Sequence, residues 1–358
     1  MRTRLVLAGY FGRGNLGDDA ILLGFIEGIK GLAVDVTVIA GRPDAVFREY
    51  GLPAVSHLDF KSIHSAIESS QAVVFPGGSI FQDATSVRSV AYYSDIVRTA
   101  KKAGKKVVML GQGVGPLTRF MGRRFAAGAF EAADAIAVRD AQSAAEMKEL
   151  GVRAKPRVTA DMAFLLPAPR KRRGQRQYGV GTMRSVGISA RPPARDKGRH
   201  VVKVFSELLH MLFESGWVPS MIEMDREIDR PLLEKMNKAH GGKVPQIRGL
   251  THPVQLQERL VRMDAVIGMR LHAGILATTV GVPAYMVSYD PKVNAFANAM
   301  GFSTPPNIQD VGASQIHDGF LSFIKDRDRL VASVERRRDE LAKKAQENIE
   351  VLVSAVEL

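Results

Sequence analysis

Four side chains that can carry positive charge follow predicted strands in the second half of the sequence. Arg191 ends one strand, Arg270 and His272 follow another at the start of a predicted buried helix, and Lys292 follows a third. A cation at a helix amino terminus is unfavourable by up to about 1 kcal/mol, because the backbone is already partially positive there. Guanidinium groups bind carboxylate and phosphate through paired hydrogen bonds. The pattern therefore predicts a site for a small anion.

An alternative role for these residues is structural. Arg270 would then form an ion pair with a neighbouring aspartate, such as Asp264 or Asp290, and His272 would be a hydrogen-bonded histidine of the core. The two interpretations differ in what the charges face. In the first they face a ligand, and in the second they face the protein's own carboxylates.

The first half of the sequence contains a glycine-rich loop that resembles a nucleotide-binding pattern. Gly12, Gly14 and Gly17 form G-x-G-x-x-G between a predicted strand and a predicted helix, which is the context of a dinucleotide site. Asp18 and Asp19 follow directly, and we expect them to cap the helix and to repel a pyrophosphate. No acidic residue suited to a ribose ends the second strand, so a nicotinamide or flavin site is disfavoured.

Two further glycine-rich loops, residues 76–83 and 111–116, follow predicted strands in this half, where open α/β sheets bind ligands. Their polar side chains are neutral or acidic and include no cation, which favours sugar hydroxyls over phosphate. Glycines there allow backbone N–H groups to approach a ligand closely. The candidates from the three loops are Asn15, Gly17, Asp18, Gly77, Gly78, Gln82, Asp83 and Gln112. For Asp18 and Asp83, helix capping and loop structure are the alternative roles.

Strand-length apolar runs alternate with helical patterns along the chain, which predicts parallel sheets covered by helices on both faces. The alternation stops in the basic, Pro- and Gly-rich residues 167–184, which we interpret as a linker. We therefore predict an α/β fold of two doubly wound, Rossmann-like domains that face a cleft. The domains are residues 1–166 and 185–326, and a final helix within 327–358 packs back onto them.

The amino-acid composition excludes several classes of protein. The 358 residues include no cysteine, which excludes a disulfide framework, a thiolate zinc site and a cysteine nucleophile. We expect no signal peptide and no transmembrane helix, and hence a cytoplasmic location. The net charge of +13 favours anionic partners, so a protein that binds nucleic acid or an anionic membrane is one interpretation. Aromatic residues do not interleave with the cations, which disfavours nucleic acid, and no cluster of histidines and carboxylates indicates a metal site.

Several motifs, taken in order, resemble the polysaccharide pyruvyl transferase family, in particular its bacterial, CsaB-like members. GYFGRGNLGDDAIL is similar to the family's N-terminal glycine-rich motif, and PGGSIFQDATSVRSVAYY is similar to its G-G-x-x-x-Q-D segment. The other matching stretches are GQGVGPL, ISARP and IGMRLHAGILATTVGVPAYMVSYDPKV. The resemblance spans most of the chain. One difference is Ser79, which stands where the family commonly has a third glycine.

The resemblance implies the two-domain fold of GT-B glycosyltransferases. It also implies transfer of a pyruvyl group from phosphoenolpyruvate to a sugar, with release of phosphate and without a further cofactor. The implied acceptor is a lipid-linked cell-wall polysaccharide precursor containing N-acetylmannosamine, which receives a pyruvate ketal. The enzyme would then contact the inner face of the cell membrane transiently. The competing enzyme hypothesis is a GT-B glycosyltransferase that uses a nucleotide sugar.

Phosphoenolpyruvate carries a carboxylate and a phosphate, so its binding site needs two or more cations. The residues expected to bind it are Arg191, Arg270, Leu271, His272 and Lys292. The candidate catalytic residues are His272, Arg270 and Asp18. His272 would donate a proton or contact the phosphate, Asp18 is a candidate base, and the residues of the three glycine-rich loops would bind the acceptor sugar.

Overall fold

The computed structural model describes residues 2–84, 86–169, 183–193 and 198–358. The basic run within the predicted linker, residues 170–176, lies outside the described residues. The chain forms two compact units, and each has its own sheet. The first unit comprises Met1–Leu166 and Leu341–Leu358, and the second comprises Pro167–Glu340.

The first unit contains a parallel sheet. Its strands are β1 Thr3–Phe11, β2 Val34–Ala40, β3 Ala54–Ser56, β4 Ala72–Phe75, β5 Gly78–Phe81, β6 Lys106–Val114, β7 Ala135–Val138 and β8 Arg157–Val158. The order across the sheet is β3-β2-β1-β4-β6-β7-β8, and β5 pairs with the far end of β6. The direction of the strand order reverses between β1 and β4, where doubly wound sheets bind ligands.

Helices cover both faces of this sheet. They are α1 Leu16–Gly28, α2 Pro43–Tyr50, α3 Phe60–Glu68, α4 Val87–Lys102, α5 Phe120–Ala132 and α6 Ala141–Glu149. Buried side chains of α3, α4, α5 and α6 form one core against one face of the sheet. Those of α1 and α2 form another core, which also includes Ile349 and Leu352 from the end of the chain. The strands are apolar on both faces because both faces are covered.

The second unit has a smaller parallel sheet. Its strands are β9 Arg184–Ser189, β10 Trp217–Ile222, β11 Gln246–Ile247, β12 Ala265–Gly268 and β13 Ala284–Met286, in the order β11-β10-β9-β12-β13. Its helices are α7 Arg199–Glu214, α8 Arg226–Ala239, α9 Pro253–Leu260, α10 Leu271–Thr279, α11 Pro291–Ala299 and α12 Ala313–Ile324. Here the strand order reverses between β9 and β12. The predicted α/β fold of Rossmann-like domains is confirmed.

The last helix, α13 Arg327–Val356, ends in the first unit. Asn348 is fully buried there, and its side-chain amide donates to the carbonyl of Ala160 at 3.0 Å. The Thr159 hydroxyl donates to the Asn348 amide oxygen at 2.8 Å. These hydrogen bonds satisfy a polar side chain that would be costly to bury alone. They fix the end of α13 to the segment that follows β8.

Candidate functional site

Three cationic side chains of the second unit follow neighbouring strands and surround one tyrosine. Arg191 lies after β9, Arg270 after β12, and Tyr289 and Lys292 after β13. Arg191 Nη1 donates to Tyr289 Oη at 2.8 Å, and its guanidinium carbon lies 5.1 Å from the ring centroid. Lys292 Nζ lies 5.7 Å from the same centroid. We call Arg191, Arg270, Tyr289 and Lys292 the cation cluster.

Tyr289 titrates under the influence of these charges. Burial raises the pKa of Tyr289, but the positive charges of Lys292, Arg191 and Arg270 more than offset this, and the pKa lies below its ordinary value. An electropositive field at a buried position favours any negative group placed there. The pattern of cations after strands did not indicate this tyrosine, although it stands in the S-Y-D-P-K stretch that carried the resemblance.

Arg270 is buried and held by an aspartate from another element. It is 7% exposed, and its Nε donates to Asp229 Oδ1 at 3.0 Å, while its Nη2 donates to the same oxygen. Asp229 is fully buried on α8, and its Oδ2 accepts the backbone N–H groups of Met224 at 3.1 Å and Asp225 at 3.0 Å. The carboxylate therefore positions the arginine against the loop that follows β10.

The structure corrects the partners considered for Arg270. Asp264 Oδ2 accepts the backbone N–H of Ser185 at 2.8 Å, and Asp290 accepts the backbone N–H of Lys292 at 3.2 Å and contacts its Nζ at 3.1 Å. The expectation of an internal ion pair was right in kind, but its suggested partners were wrong. Spacing along the chain favoured nearby aspartates, whereas the true partner lies 41 residues away.

The ion pair keeps Arg270 charged while it occupies part of the guanidinium. Burial lowers the pKa of Arg270, but the Asp229 carboxylate more than offsets this, so the pKa is raised. Asp229 engages Nε and Nη2. An anion would therefore be bound by the opposite, Nη1 side of the guanidinium.

Leu271 and His272 form the first turn of α10, directly after Arg270. Leu271 is buried, and His272 is half-buried. Arg270 is the N-cap residue of α10 and forms no side-chain capping hydrogen bond, since its side chain is bound to Asp229 instead. The amino end of α10 thus begins beside the cation cluster and adds its partial positive charge.

In the first unit, the structure brings two predicted loops together between β1 and β4. Asn15 caps α1, and its Oδ1 accepts the N–H of Gly17 at 2.9 Å. Asp18 lies half-buried in the first turn, and a Cβ at Gly78 would lie 3.4 Å from its Oδ1. Gly77 and Gly78 have φ values of 144° and 90°, which L-residues rarely adopt. The expectation that Asp18 and Asp19 cap α1 was wrong, because Asn15 does.

Two of the predicted sugar-binding side chains are structural. Asp83 is 1% exposed, and its carboxylate accepts the N–H groups of Thr118 at 2.9 Å and Arg119 at 2.7 Å. Gln112 is fully buried, and its Nε2 donates to the carbonyl of Phe75 at 2.9 Å. Both side chains hold loops together through these hydrogen bonds. Their contact with a sugar stays a prediction. Gln82 is half-buried, and its Oε1 accepts the N–H of Ala84 at 3.0 Å.

A cation missed by the sequence analysis lies at the same edge of the first sheet. Arg139 follows β7, and its Nη2 donates to Ser79 Oγ at 2.9 Å. It also contacts Asp140 at 3.3 Å and Asp161 at 3.5 Å, with its side chain 7% exposed. The two glycine-rich loops contain no cation themselves, but Arg139 brings one to this edge from the end of β7. The hydroxyl of Ser79, the residue that departs from the family pattern, accepts a hydrogen bond from this arginine.

Asp19 gives the first unit a titratable group near neutrality. Burial raises the pKa of Asp19 to about 7, although the N–H of Gly12, at 2.9 Å, and the Tyr50 hydroxyl both donate to its carboxylate. The unfolded chain releases this proton near the ordinary pKa of 3.8, whereas the folded chain retains it up to about 7. This contribution to stability is therefore complete below pH 4 and is lost as the pH rises to 7.

We expect Asp19→Asn to remove this pH dependence, because the amide is neutral at every pH and nearly isosteric. The wild-type free energy of unfolding should fall by up to about 4 kcal/mol relative to the variant between pH 4 and pH 8, at about 1.4 kcal/mol per pKa unit. Urea unfolding at both pH values measures this. Asp35→Asn, at an exposed position of β2, is the control. Equal slopes for wild type and Asp19→Asn would contradict the role of Asp19.

The profile of the polysaccharide pyruvyl transferase family matches residues 15–291. The chain belongs to this family. The match covers the glycine-rich loops 76–83 and 111–116 of the first unit, and Arg191, Arg270 and Tyr289 of the cation cluster, and it ends one residue before Lys292. Among curated protein sequences, none matches the chain significantly.

Solved structures show the same fold at low sequence identity. S. aureus MnaA in complex with UDP is 10% identical, with a TM-score of 0.67 over 100% of this chain and 98% of that one. A glycosyltransferase from Rickettsia africae is 12% identical, with a TM-score of 0.64 over 99% of each chain. The Streptomyces nogalater glycosyltransferase SnogD is 14% identical, with a TM-score of 0.52 over 99% and 100%. The fold of this pyruvyl transferase family member is thus of the GT-B type.

Within the described residues, no helix is both long and apolar enough to cross a membrane. The same residues contain no group of three or more histidine, aspartate or glutamate side chains arranged to hold a metal ion.

Proposed function

We propose that this protein transfers a pyruvyl group from phosphoenolpyruvate to a sugar, forms a pyruvate ketal and releases phosphate. The observation that carries the proposal is the cation cluster. In a chain of this family, it places two arginines and a lysine around one half-buried tyrosine at the carboxyl edge of a parallel sheet. Phosphoenolpyruvate combines a carboxylate and a phosphate, and such a cluster matches that pair of charges.

In the donor site we propose, Arg191 and Lys292 bind one acidic group, and the Nη1 side of Arg270 binds the other. Leu271 and His272 contribute the first turn of α10, whose partial positive charge favours an anion. Asp229 and Tyr289 do not bind phosphoenolpyruvate themselves. They hold Arg270 and Arg191, respectively, in the orientation that the substrate requires.

The reaction adds one proton to the methylene carbon and removes one proton from each of two sugar hydroxyls. His272 donates a proton to the methylene carbon of phosphoenolpyruvate, which becomes the methyl group and leaves an oxocarbenium-like centre at C2. A sugar hydroxyl adds to C2 and loses its proton to a base, for which Asp18 is the candidate. The bond between C2 and the phosphate oxygen breaks, and the second sugar hydroxyl closes the ketal while its proton passes to the departing phosphate. The cations of the cluster stabilise the charge on the departing phosphate.

The acceptor would bind to the first unit. Asn15, Gly17, Asp18, Gly77 and Gly78 lie together where the strand order reverses, and Gln82 follows β5 nearby. Positive φ at both glycines of the second loop supports a close backbone approach to a ligand. We propose a lipid-linked cell-wall saccharide containing N-acetylmannosamine, as in CsaB-like enzymes, and a cytoplasmic location with peripheral contact to the inner membrane face. No cofactor beyond the donor substrate is proposed.

Tyr289→Phe should weaken donor binding more than catalysis. It removes the hydrogen bond from Arg191 to the phenol oxygen, and about 1.5 kcal/mol for a hydrogen bond to a charged group corresponds to a roughly tenfold higher KM for phosphoenolpyruvate. Because cations lower the pKa of Tyr289, wild type should show a tyrosinate absorbance step below pH 10 that the variant lacks. Bound phosphoenolpyruvate should move that step to higher pH. A step unaffected by saturating phosphoenolpyruvate would contradict this arrangement.

The direct test of the function uses the full chain, phosphoenolpyruvate and a panel of lipid-linked and water-soluble saccharides. We expect phosphate release that depends on an acceptor, and a product heavier than that acceptor by one pyruvic acid minus one water. The second candidate function, transfer from a nucleotide sugar, is favoured by the resemblance of the fold to glycosyltransferases and to a UDP complex. Thermal stabilisation by UDP-sugars but not by phosphoenolpyruvate, without phosphate release, would favour that alternative.

A further inference from the structure

Three neighbouring helices of the first unit begin at the same edge of the sheet. α3 follows β3, α4 follows β5, and α5 follows β6, and all three pack on one face of the sheet. Because the strands are parallel, the amino ends of these helices lie at the edge where the strands end. α4 contacts both α3 and α5, so it lies between them.

Large apolar side chains are exposed at two of these helix ends. Phe120 and Met121 are the first two residues of α5 and are 75% and 44% exposed. Leu58 and Phe60, at the start of α3, are 71% and 54% exposed. Exposed clusters of large apolar residues mark surfaces that bind a membrane or another molecule.

Cations outnumber exposed carboxylates around these side chains. The exposed cations at the three helix ends are Lys61, Arg88, Arg119 and Arg124. The nearby carboxylates are fewer: Asp59 is exposed and accepts from the Ser62 backbone and hydroxyl, and Asp83 is buried under two backbone N–H groups. The partially positive helix ends add to the cations. Apolar side chains flanked by cations favour the interface of an anionic bilayer.

We propose that this surface docks the protein on an anionic lipid bilayer. The docking surface consists of Leu58, Phe60, Lys61, Arg88, Arg119, Phe120, Met121 and Arg124. The aromatic, leucine and methionine side chains would enter the headgroup boundary while the cations contact lipid phosphates. A second copy of the chain is a less suitable occupant, because two such surfaces would bring like charges together.

The biological role of this surface rests on the proposed function. The loops that carry Asn15, Asp18 and Gly78 leave the same edge of the same sheet. Docking at this edge would bring the candidate acceptor site to a sugar carried on a membrane lipid. The surface itself is inferred from exposure and charge, so it can be tested without any assay of the reaction.

The test is sedimentation of the full chain with vesicles of phosphatidylcholine alone or with added phosphatidylglycerol. We expect binding to the anionic vesicles only, weakened by high salt, and at least tenfold weaker for Phe120→Ser/Met121→Ser. The matched control is Phe47→Ser, which changes an exposed phenylalanine on α2 at the opposite face and should bind like wild type. The changed side chains are exposed, so circular dichroism and thermal unfolding should match wild type.

Several results would overturn the docking surface. Undiminished binding by Phe120→Ser/Met121→Ser would assign membrane attachment to another part, such as the basic residues 170–176. Equal loss in Phe47→Ser would indicate nonspecific adsorption. A dimer in sedimentation equilibrium that the double variant abolishes would make the surface a self-contact. Turnover of phosphoenolpyruvate with a water-soluble acceptor should be unchanged in the double variant, so vesicle binding and reaction can fail independently.

Discussion

Arg270→Ala is expected to abolish measurable turnover of phosphoenolpyruvate and to lower the free energy of unfolding by about 3–5 kcal/mol. The loss of stability has a clear cause: Asp229 is fully buried, and without the guanidinium its charge would have no cation to offset desolvation. The loss of turnover has a different cause, since the proposed donor site would lack the group that binds one of the two acidic groups of the substrate. The two effects must be separated before activity is interpreted.

A second variant separates them. Arg270→Ala/Asp229→Asn removes both charges, and the new amide oxygen still accepts the backbone N–H groups of Met224 and Asp225. Stability measured by urea unfolding should therefore recover most of the loss, whereas binding of phosphoenolpyruvate in calorimetric titration should not recover. Arg230→Ala is the matched control, because Arg230 lies on the same helix as Asp229 and forms a two-point ion pair with the buried Glu223. That variant should lose stability and still bind phosphoenolpyruvate. Wild-type affinity in the double variant would remove Arg270 from the donor site.

His272→Asn is expected to lower kcat by about 10²- to 10⁴-fold, the usual contribution of a general acid, with little change in stability. His272 is half-buried in the first turn of α10, where an asparagine is readily accommodated. If His272 donates the proton to the methylene carbon, the variant should lose kcat at every pH while its KM for phosphoenolpyruvate changes little. The measurement is a kcat and KM profile across pH.

The two roles considered for His272 give different results in that profile. A phosphate partner would raise KM and leave the pH dependence of kcat intact, whereas a proton donor affects kcat first. His210→Asn, a well-exposed histidine on α7 of the same unit, is the control and should behave like wild type. Full kcat in His272→Asn at every pH would contradict a role in proton transfer.

Regular patterns made much of the fold predictable from the sequence. Apolar runs between glycine-rich turns indicated most strands, since strands buried on both faces are continuously apolar. Some helices lack a side-chain cap at their start. α2 and α5 begin after Arg42 and Arg119, which form no side-chain capping bond, and α5 contains Gly122 in its first turn. β5 is four residues long and follows directly on β4, so its pattern merged with the preceding glycines.

The site was predictable as far as it depended on position along a strand. Arg191, Arg270 and Lys292 stand directly after apolar runs, and parallel strands bring such positions to one edge. Contacts between side chains that are far apart in the sequence were not predictable in this way. Asp229 lies within a helix that gives no hint of Arg270, and Tyr289 became part of the site only through its neighbours in space. For Asp83 and Gln112, the sequence suggested ligand-binding side chains. Their positions in loops gave no sign that backbone groups already form hydrogen bonds with these side chains.

Hydrogen–deuterium exchange of the full chain with and without saturating phosphoenolpyruvate tests the central claim most directly, because it locates the bound donor. We predict that phosphoenolpyruvate slows exchange at the ends of β9, β12 and β13, in peptides covering 189–193, 269–273 and 287–292. The glycine-rich loops of the first unit should remain unchanged until an acceptor is added. Protection confined to residues 12–18 and 76–83, with none around Tyr289, would contradict the assignment of the cation cluster as the phosphoenolpyruvate site.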